Sequence, residues 1–397
     1  MAKGVVLGVI GCVTILPSLI LTFDKALEKT MHREIMPNFD KPARWIVNHS
    51  WIFLIIFVLL LGPAIYGYNN TKVYYDLSDT LPEKLNCSQA NKLLADNFDG
   101  TNSIYMILAD TNLSKDDSIA MIDEIKELDG ISTAMSLDSV VGAELPTEML
   151  PDSLVSELKG NEYQIMMIST NYAIASDEIN DQIDKVDEIA KKYDAKSMVI
   201  GEAPLMKDLQ DVTDIDLTRV NVISIAAIFI IILLIFKSIS LPIILVSVIE
   251  FAITINMAIP FYQGKSLPFV ASIVIGAIQL GATVDYAILM TTRYQKERMK
   301  GKSKKESVAI AHRISMPSII TSGLSFFAAT FGVTCYTQVD MIGSICELLS
   351  RGAIISVIVV LTVLPAMFLI FDPVICRTTA GYRVKKDKSK TVVEPTA

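Results

Sequence analysis

Two adjacent residues, Asp285 and Tyr286, lie inside an apolar run that covers about 267–294. About 20 apolar residues in a helix span the hydrocarbon core of a bilayer. An ionised Asp at the centre of such a helix costs about 2.5–3.5 kcal/mol on insertion scales, so it usually faces the interior of a helix bundle. We therefore predict that Asp285 takes up and releases a proton, with Tyr286 donating to it or relaying the proton. The alternative is a structural carboxylic acid that stays neutral.

Three further polar residues inside apolar runs are candidates to support this site. Glu250 is a second intramembrane acid, which either joins the relay or reaches toward an aqueous edge. Ser322 and Ser325 can hydrogen-bond across to the helix that carries Asp285, although Ser in a membrane helix often serves only close packing. Both interpretations stay open for all three residues.

The residue types that metal and cofactor sites need are scattered along the sequence. There are 5 cysteines and 3 histidines, and no Cys-x-x-Cys, His-Glu-x-x-His or glycine-rich phosphate loop is present. We therefore predict no catalytic residues, no metal, no cofactor and no nucleic-acid partner. The chain is predicted not to be an enzyme.

The composition indicates a membrane protein with one soluble domain. The chain has 397 residues, is 51% hydrophobic, has a mean hydropathy of +0.45 and carries a formal net charge of −8. Residues 72–217 hold about 30 acidic and 11 basic side chains, whereas the rest of the chain holds about 13 acidic and 24 basic ones. This distribution predicts an acidic domain inserted between basic-flanked membrane segments.

Seven apolar runs are long enough to cross a bilayer as helices. They cover about 5–23, 51–68, 218–236, 241–262, 267–292, 315–336 and 352–371. The Lys- and Arg-rich segments 24–50 and 293–313, together with the C-terminal tail, are predicted to be cytoplasmic by the positive-inside rule. Seven spans satisfy this requirement and place the acidic domain outside the membrane.

The first and last apolar runs are similar to each other. Gly4–Asp24 (GVVLGVIGCVTILPSLILTFD) resembles Gly352–Asp372 (GAIISVIVVLTVLPAMFLIFD) at a constant offset, and both contain Leu-Pro followed by Phe-Asp. Repeats of this length are typical of duplicated transporters. We therefore expect residues 1–24 to be the last transmembrane helix of a truncated first repeat, and the chain to be the C-terminal portion of a larger protein.

The acidic region has the pattern of an α+β domain. Strands are predicted at 103–108, 163–169 and 197–200, and helices at 114–128 and 176–193, with Ser114 as a helix N-cap. A last helix from about residue 204 is expected to continue into the third span. This order suggests a split βαβ arrangement, in which helices cover one face of a sheet.

The sequence GATVDYAILMTTRYQKE at 281–297 resembles the Asp-Tyr helix of the MMPL transporters, which are part of the RND superfamily. The order of spans and domain is also similar to that family. The resemblance implies proton-driven export of lipids, hydrophobic drugs or other amphiphiles from the bacterial cytoplasmic membrane. It also implies that Asp285 and Tyr286 are the proton-relay pair of the second half, and that the equivalent pair belongs to the missing N-terminal half.

We thus predict a multi-span α-helical membrane protein with one ferredoxin-like, porter-type α+β extracytoplasmic domain. The predicted segments are a helix (1–24), a cytoplasmic linker (25–50), a transmembrane helix (51–71), the porter-like domain (72–217), a five-helix bundle of sterol-sensing-like type (218–372) and a basic cytoplasmic tail (373–397). Expected partners are membrane lipids, an amphiphilic or lipidic substrate, the missing N-terminal half and a second copy in a homo-oligomer.

Three alternatives to the exporter remain open at this point. The first is a protein-export component similar to SecD/SecF, which shares the architecture and the use of protons. The second is a membrane protein of sterol-sensing type that binds a lipid without pumping it. The third is an inactive gene fragment.

Overall fold

The computed structural model describes residues 2–30, 37, 39–75, 84–97, 103–142, 155 and 157–380. The chain divides into two units, Met1–Pro42 and Ala43–Ala397. Its described part contains 7 helices that are long and apolar enough to cross a membrane, which confirms the seven predicted spans. These helices cover Lys3–Lys29, Ser50–Asn69, Glu202–Phe236, Ser240–Gln263, Phe269–Met299, Lys304–Tyr336 and Asp340–Thr378.

The first unit is a long helix with an irregular turn before its proline. It consists of α1 (Ala2–Ile10), a π-helical stretch (Gly11–Ile15) and α2 (Leu16–Lys29). Pro17 lacks an N–H group, and inserted π turns are a common way for a helix to absorb such a break. The hydroxyls of Thr14, Ser18 and Thr22 bond back to carbonyls four residues earlier at 2.6–2.8 Å, so the helix satisfies its polar side chains internally.

The second unit begins near α3 and contains both the domain and the remaining membrane helices. In chain order its first elements are α3 (Asp40–Asn48), α4 (Ser50–Asn69), β1 (Val73–Tyr74), α5 (Asn86–Asn97), β2 (Ser103–Asp110), α6 (Lys115–Lys126), β3 (Ile131–Met135), α7 (Leu137–Val141), β4 (Tyr163–Thr170), α8 (Asp177–Tyr193) and β5 (Met198–Gly201). The chain continues as α9 (Glu202–Phe236), α10 (Ser240–Gln263), β6 (Leu267–Pro268), α11 (Phe269–Met299), α12 (Lys304–Tyr336) and α13 (Asp340–Thr378).

The α+β domain is a four-stranded antiparallel sheet with two helices packed on one face. The chain order is β2–α6–β3–α7–β4–α8–β5, in which α7 is a short helix of five residues, and the order across the sheet is β3-β4-β2-β5. Alternate residues of β2, such as Tyr105 and Ile107, are fully buried against Ile122 of α6 and Val186 of α8. The Ser114 hydroxyl accepts from the N–H of Asp117, as its predicted N-cap role requires.

Three domain elements have no counterpart in the sequence prediction. These are α5, β3 and α7. The β3 strand (Ile-Ser-Thr-Ala-Met) has only two strongly apolar residues and one buried position, because it lies at the sheet edge. A short edge strand carries little periodic signal, so only its pairing with β4 identifies it.

Two connections join the domain to the membrane helices. The α9 helix runs without a break from the domain into the third span, as predicted from the sequence. In addition, β1 pairs in parallel with β6, with Val73 opposite Leu267, and the Tyr75 ring stacks on Phe269 at 5.2 Å. The segment that leads from α4 toward the domain is therefore paired with the residues that directly precede α11, the helix that carries Asp285.

Three helices extend beyond the apolar runs. The α11 helix continues to Met299 and α12 begins at Lys304, so most of the predicted basic loop at 293–313 is helical. Lys, Arg and Glu favour helix, and the Ser303 hydroxyl caps α12 by accepting from the N–H of Glu306. Likewise α13 ends only at Thr378. Residues 381–397 of the predicted tail, and residues 76–83, 98–102 and 143–154 of the predicted domain, lie outside the described residues.

Candidate functional site

Asp285 and Tyr286 point in different directions from the middle of α11. Asp285 is exposed on the flank of the bundle, whereas Tyr286 is only 7% exposed. Successive helical residues are rotated by about 100°, so a neighbouring pair cannot share one face. The expectation that Asp285 would be enclosed by the helices of this chain is therefore not met. Within the described ranges its carboxylate has neither a hydrogen bond nor an ion pair.

The Tyr286 ring is directed toward α12. A methyl group built on Gly323 of α12 would lie 3.9 Å from the Tyr286 hydroxyl and only 2.2 Å from Val357 of α13. Gly323 thus allows α12 and α13 to approach closely beside the tyrosine. The Tyr286 hydroxyl is held where these three helices meet.

The flank around Asp285 is lined by small residues. Ala277 and Gly281 precede Asp285 at intervals of four, and all three are exposed. A methyl group built on Gly281 would have no atom within 4 Å. Residues four apart lie on one face of a helix, so Asp285 shares an exposed stripe with two small residues, and another helix can approach this stripe closely.

Ser322 and Ser325 lie on exposed positions of α12. Among the described residues, neither hydroxyl makes a hydrogen bond to α11. They lie on either side of the buried Gly323, on the helix that packs beside Tyr286. Their role in the proton path stays a prediction.

Glu250 lies apart from Asp285, in a cavity between α4, α9, α10 and α11. The cavity has a volume of about 240 Å³. It is lined by Tyr68, Asn221, Ile225, Glu250, Ile253, Thr254, Met257, Ser272, Gly276 and Leu280. Asp285 is absent from this lining, so the structure does not bring the two intramembrane acids into one site.

A buried polar network joins α10, α11 and α13 within one turn of Asp285. The Asn256 amide donates to Gln279 Oε1 at 2.8 Å, and the Gln279 amide donates to Ser356 Oγ at 3.1 Å. The Thr283 hydroxyl donates to Ser356 Oγ at 2.8 Å. All four side chains are at most 2% exposed. None of these four residues was among the sites predicted from the sequence, although single amides inside apolar runs are a signal for such a cluster.

Arg351 extends the network toward the domain end of α13. Its guanidinium donates to Asn256 Oδ1 at 3.0 Å and to the Asn256 carbonyl at 3.1 Å, while Glu347 is 4.0 Å away. Gly352 makes room for these contacts, because a methyl group there would lie 2.7 Å from both Asn256 Nδ2 and Gln279 Oε1. The network therefore fixes the position of α11 relative to α10 and α13.

A second cluster explains the Asp of the repeated motif. Asp372 receives two hydrogen bonds from Arg298, Nε to Oδ1 and Nη2 to Oδ2, each 2.8 Å long, and a further one from the Tyr294 hydroxyl. The Tyr294 ring stacks on Phe368 at 4.6 Å. We call Asp372, Arg298 and Tyr294 the inner clamp. It ties the basic end of α11 to α13.

The groups in these membrane helices suit proton exchange and polar recognition. Asp285 and Glu250 can each gain or lose a proton, and the amides and hydroxyls around them can only donate or accept hydrogen bonds. Within the described ranges, no three His, Cys, Asp or Glu side chains come together as metal ligands would.

The model of the MMPL family matches residues 80–391. Among curated proteins, the chain is 25% identical to the membrane protein YdgH of Bacillus subtilis over 292 residues, which cover 71% of this chain and 32% of YdgH. It is 26% identical to the transport protein MmpL9 of Mycobacterium tuberculosis over 199 residues, covering 47% of this chain and 20% of MmpL9. It is 24% identical to the siderophore exporter MmpL5 of the same species over 186 residues, which cover 46% of this chain and 19% of MmpL5.

The matches thus span about a third or less of the length of these curated relatives. The names of two of these relatives describe a transport protein and a siderophore exporter. Because the family model matches most of the chain, from the α+β domain through all five later membrane helices, the chain belongs to the MMPL family of the RND superfamily.

Proposed function

We propose that this chain is part of a proton-driven exporter of lipids, hydrophobic drugs or other amphiphiles, and that Asp285 carries the proton. The observation that carries the proposal is the position of Asp285. It lies near the middle of a helix that can cross the membrane, on an exposed stripe with Ala277 and Gly281. The name of one relative, the siderophore exporter MmpL5, supports export as the direction of transport.

The exposed stripe is proposed to pack against a second helix bundle. An ionised Asp that faced the acyl chains would cost about 2.5–3.5 kcal/mol, while small residues allow close helix contact. The repeated motif at 4–24 and 352–372 argues that the partner is a bundle related to this one by duplication. Such a bundle would enclose Asp285 and supply the other half of the proton site.

The α+β domain is proposed to be a ferredoxin-like, porter-type domain on the outer side of the bacterial cytoplasmic membrane. Its βαββαβ order, with the first and third strands at the centre of the sheet, supports this assignment. The concentration of Lys and Arg at the opposite ends of the helices supports the orientation. Movement of α11 on protonation would reach the domain through the β1–β6 pair and would open or close a path for substrate.

The test is the substitution Asp285→Asn in the full-length transporter, assayed in inverted membrane vesicles. We expect loss of amphiphile transport driven by a proton gradient, with unchanged amounts of protein in the membrane. The matched control is Asp340→Asn at the domain end of α13, which should transport normally. Undiminished proton-coupled transport by the Asp285 variant would refute the proposal.

One observation favours a second candidate function. The cavity that contains Glu250 is shaped by four helices and does not include Asp285. It suits a protein of sterol-sensing type that binds a lipid without pumping it. Lipid binding or signalling that persists after the proton gradient is collapsed, without any lipid transport, would support this candidate over the exporter.

A further inference from the structure

We propose that the cavity around Glu250 binds the headgroup of a cationic amphiphile, such as an alkylammonium, with Glu250 as its counter-charge. The proposal rests on the proposed function, because it names a substrate class for a chain that handles amphiphiles. It concerns a cavity whose lining does not include Asp285, the residue proposed to carry the proton.

Glu250 has no partner of opposite charge among the residues that line the cavity. Glu250 lies in the interior of α10, and within the described ranges its carboxylate has no ion pair and no hydrogen bond; only its backbone carbonyl accepts one, from the Thr254 hydroxyl at 2.7 Å. The residues that line the cavity include no Lys, Arg or His. A carboxylate in an apolar bundle requires a proton or a partner of opposite charge. A cationic ligand supplies that partner.

The size of the cavity and the chemistry of its lining suit a small cationic headgroup. The lining includes the aromatic ring of Tyr68, a type of group that attracts cations, and the polarisable thioether of Met257. Asn221 and Ser272 provide dipoles that can orient a headgroup. A volume of about 240 Å³ is below the usual range of pockets for whole small molecules, about 300–1,000 Å³. The cavity thus fits a headgroup whose alkyl chain remains among the lipids or between the helices.

The cavity occupies the half of the helix bundle that is nearer the domain. Tyr68 is at the last turn of α4 and Ser272 at the first turn of α11, both near the domain. Glu250 lies about halfway along α10. The cavity therefore extends from the domain end of the bundle to its centre. An anionic headgroup would be repelled by Glu250, so the site discriminates by charge.

Gly276 sets the width of the cavity. A methyl group built on it would lie 3.1 Å from Asn221 Oδ1. Gly276→Ala therefore narrows the site without altering its charge. Gly62→Ala on α4 is the matched control, because a methyl group at Gly62 would have no atom within 4 Å.

The experiment measures binding of tritiated dodecyltrimethylammonium to the full chain in nanodiscs of phosphatidylcholine, with empty nanodiscs subtracted. Its charge is permanent, so the protonation state of the probe does not vary. We expect Glu250→Gln to weaken binding at least tenfold and Gly276→Ala to weaken it severalfold. Glu347→Gln and Gly62→Ala should bind as the wild type does. The neutral isostere 2,2-dimethyltetradecane, in which carbon replaces the ammonium nitrogen, should compete poorly.

Two results would overturn the proposal. One is wild-type affinity of the Glu250→Gln variant for the cation; the other is equal competition by the neutral isostere. If Glu250→Gln does not fold, unchanged binding by Gly276→Ala overturns the location of the site. The assay uses no proton gradient, so Asp285→Asn should bind the cation normally. Failure of the proposed proton coupling and failure of this site can therefore be distinguished.

Discussion

Breaking the inner clamp by Asp372→Asn should destabilise the membrane bundle strongly. The substitution keeps the size of the side chain but removes its charge. In the structure the Asp372 side chain is 7% exposed and that of Arg298 is 11% exposed. The amide would present N–H donors to the guanidinium, which has only donors, at one of the two 2.8 Å contacts.

The size of the expected destabilisation follows from the burial of Asp372 and Arg298. Removal of one partner from a buried ion pair costs about 3–5 kcal/mol, because the other charge is left uncompensated. Since Arg298 keeps some solvent contact and also donates to the Lys302 carbonyl at 2.7 Å, we expect the lower value, about 3 kcal/mol. At about 2–4 °C per kcal/mol, the unfolding midpoint should fall by about 6–12 °C.

The assay is thermal unfolding of the purified full chain in detergent, followed by intrinsic fluorescence and by loss of monodispersity. The repeat provides a matched control. Asp24→Asn changes the equivalent residue of the first copy of the motif, which is exposed, so its midpoint should shift by no more than about 2 °C. A double-mutant cycle with Arg298→Met should give a coupling of at least about 2 kcal/mol. The stabilising role of the inner clamp would be refuted if the unfolding midpoint of Asp372→Asn lay within about 2 °C of the wild-type value, or if the double-mutant cycle gave no coupling energy.

Two other predictions concern the polar network and the α+β domain. Gly352→Ala places a methyl group 2.7 Å from Asn256 Nδ2, so the free energy of unfolding, measured by thermal unfolding, should fall by about 1–3 kcal/mol. The control Gly332→Ala, whose methyl group would have no atom within 4 Å, should leave the free energy of unfolding unchanged. Hydrogen bonds from Lys192 and from a neighbouring tyrosine hydroxyl lower the pKa of Glu124. Its stabilising contribution is therefore present above the unfolded-state pKa and disappears as the pH falls through the lower folded-state pKa. The midpoint of Glu124→Gln should depend less on pH below about 4.5 than that of the wild type; parallel profiles would contradict this.

Much of the α+β domain could be predicted because its signals are local. The serines at 114 and 176 cap helices, and the apolar positions of α8 recur at helical spacing and become buried. The edge strand β3 could not be predicted, since it has few apolar residues and depends on its neighbour β4. The extension of α11 to Met299 was also missed, because the end of this helix was predicted from the apolar run alone. The charged residues that follow the run also favour helix, but they do not add to its apolarity.

The candidate site was predicted in part. Asp285 and Glu250 stand out because acids are rare in apolar runs, and this rarity can be read from a single chain. The sequence could not show whether each of these two acids faces the interior of the helix bundle or its surface. The helices around them are apolar on most sides, so hydrophobic periodicity does not mark the buried face.

The sequence by itself determined which segments are long and apolar enough to cross a membrane, which segment is rich in acidic residues and which residues are chemically unusual. These properties follow from the length, apolarity and charge of continuous stretches. Only the tertiary structure decided that Asp285 lies on an exposed stripe, that Glu250 opens into a separate cavity and that Asp372 is held by Arg298. The bond between Arg298 and Asp372, for example, joins residues 74 positions apart. They depend on how the helices rotate and pack against one another, and in an apolar solvent that packing is set by shape and by a few hydrogen bonds rather than by a hydrophobic pattern.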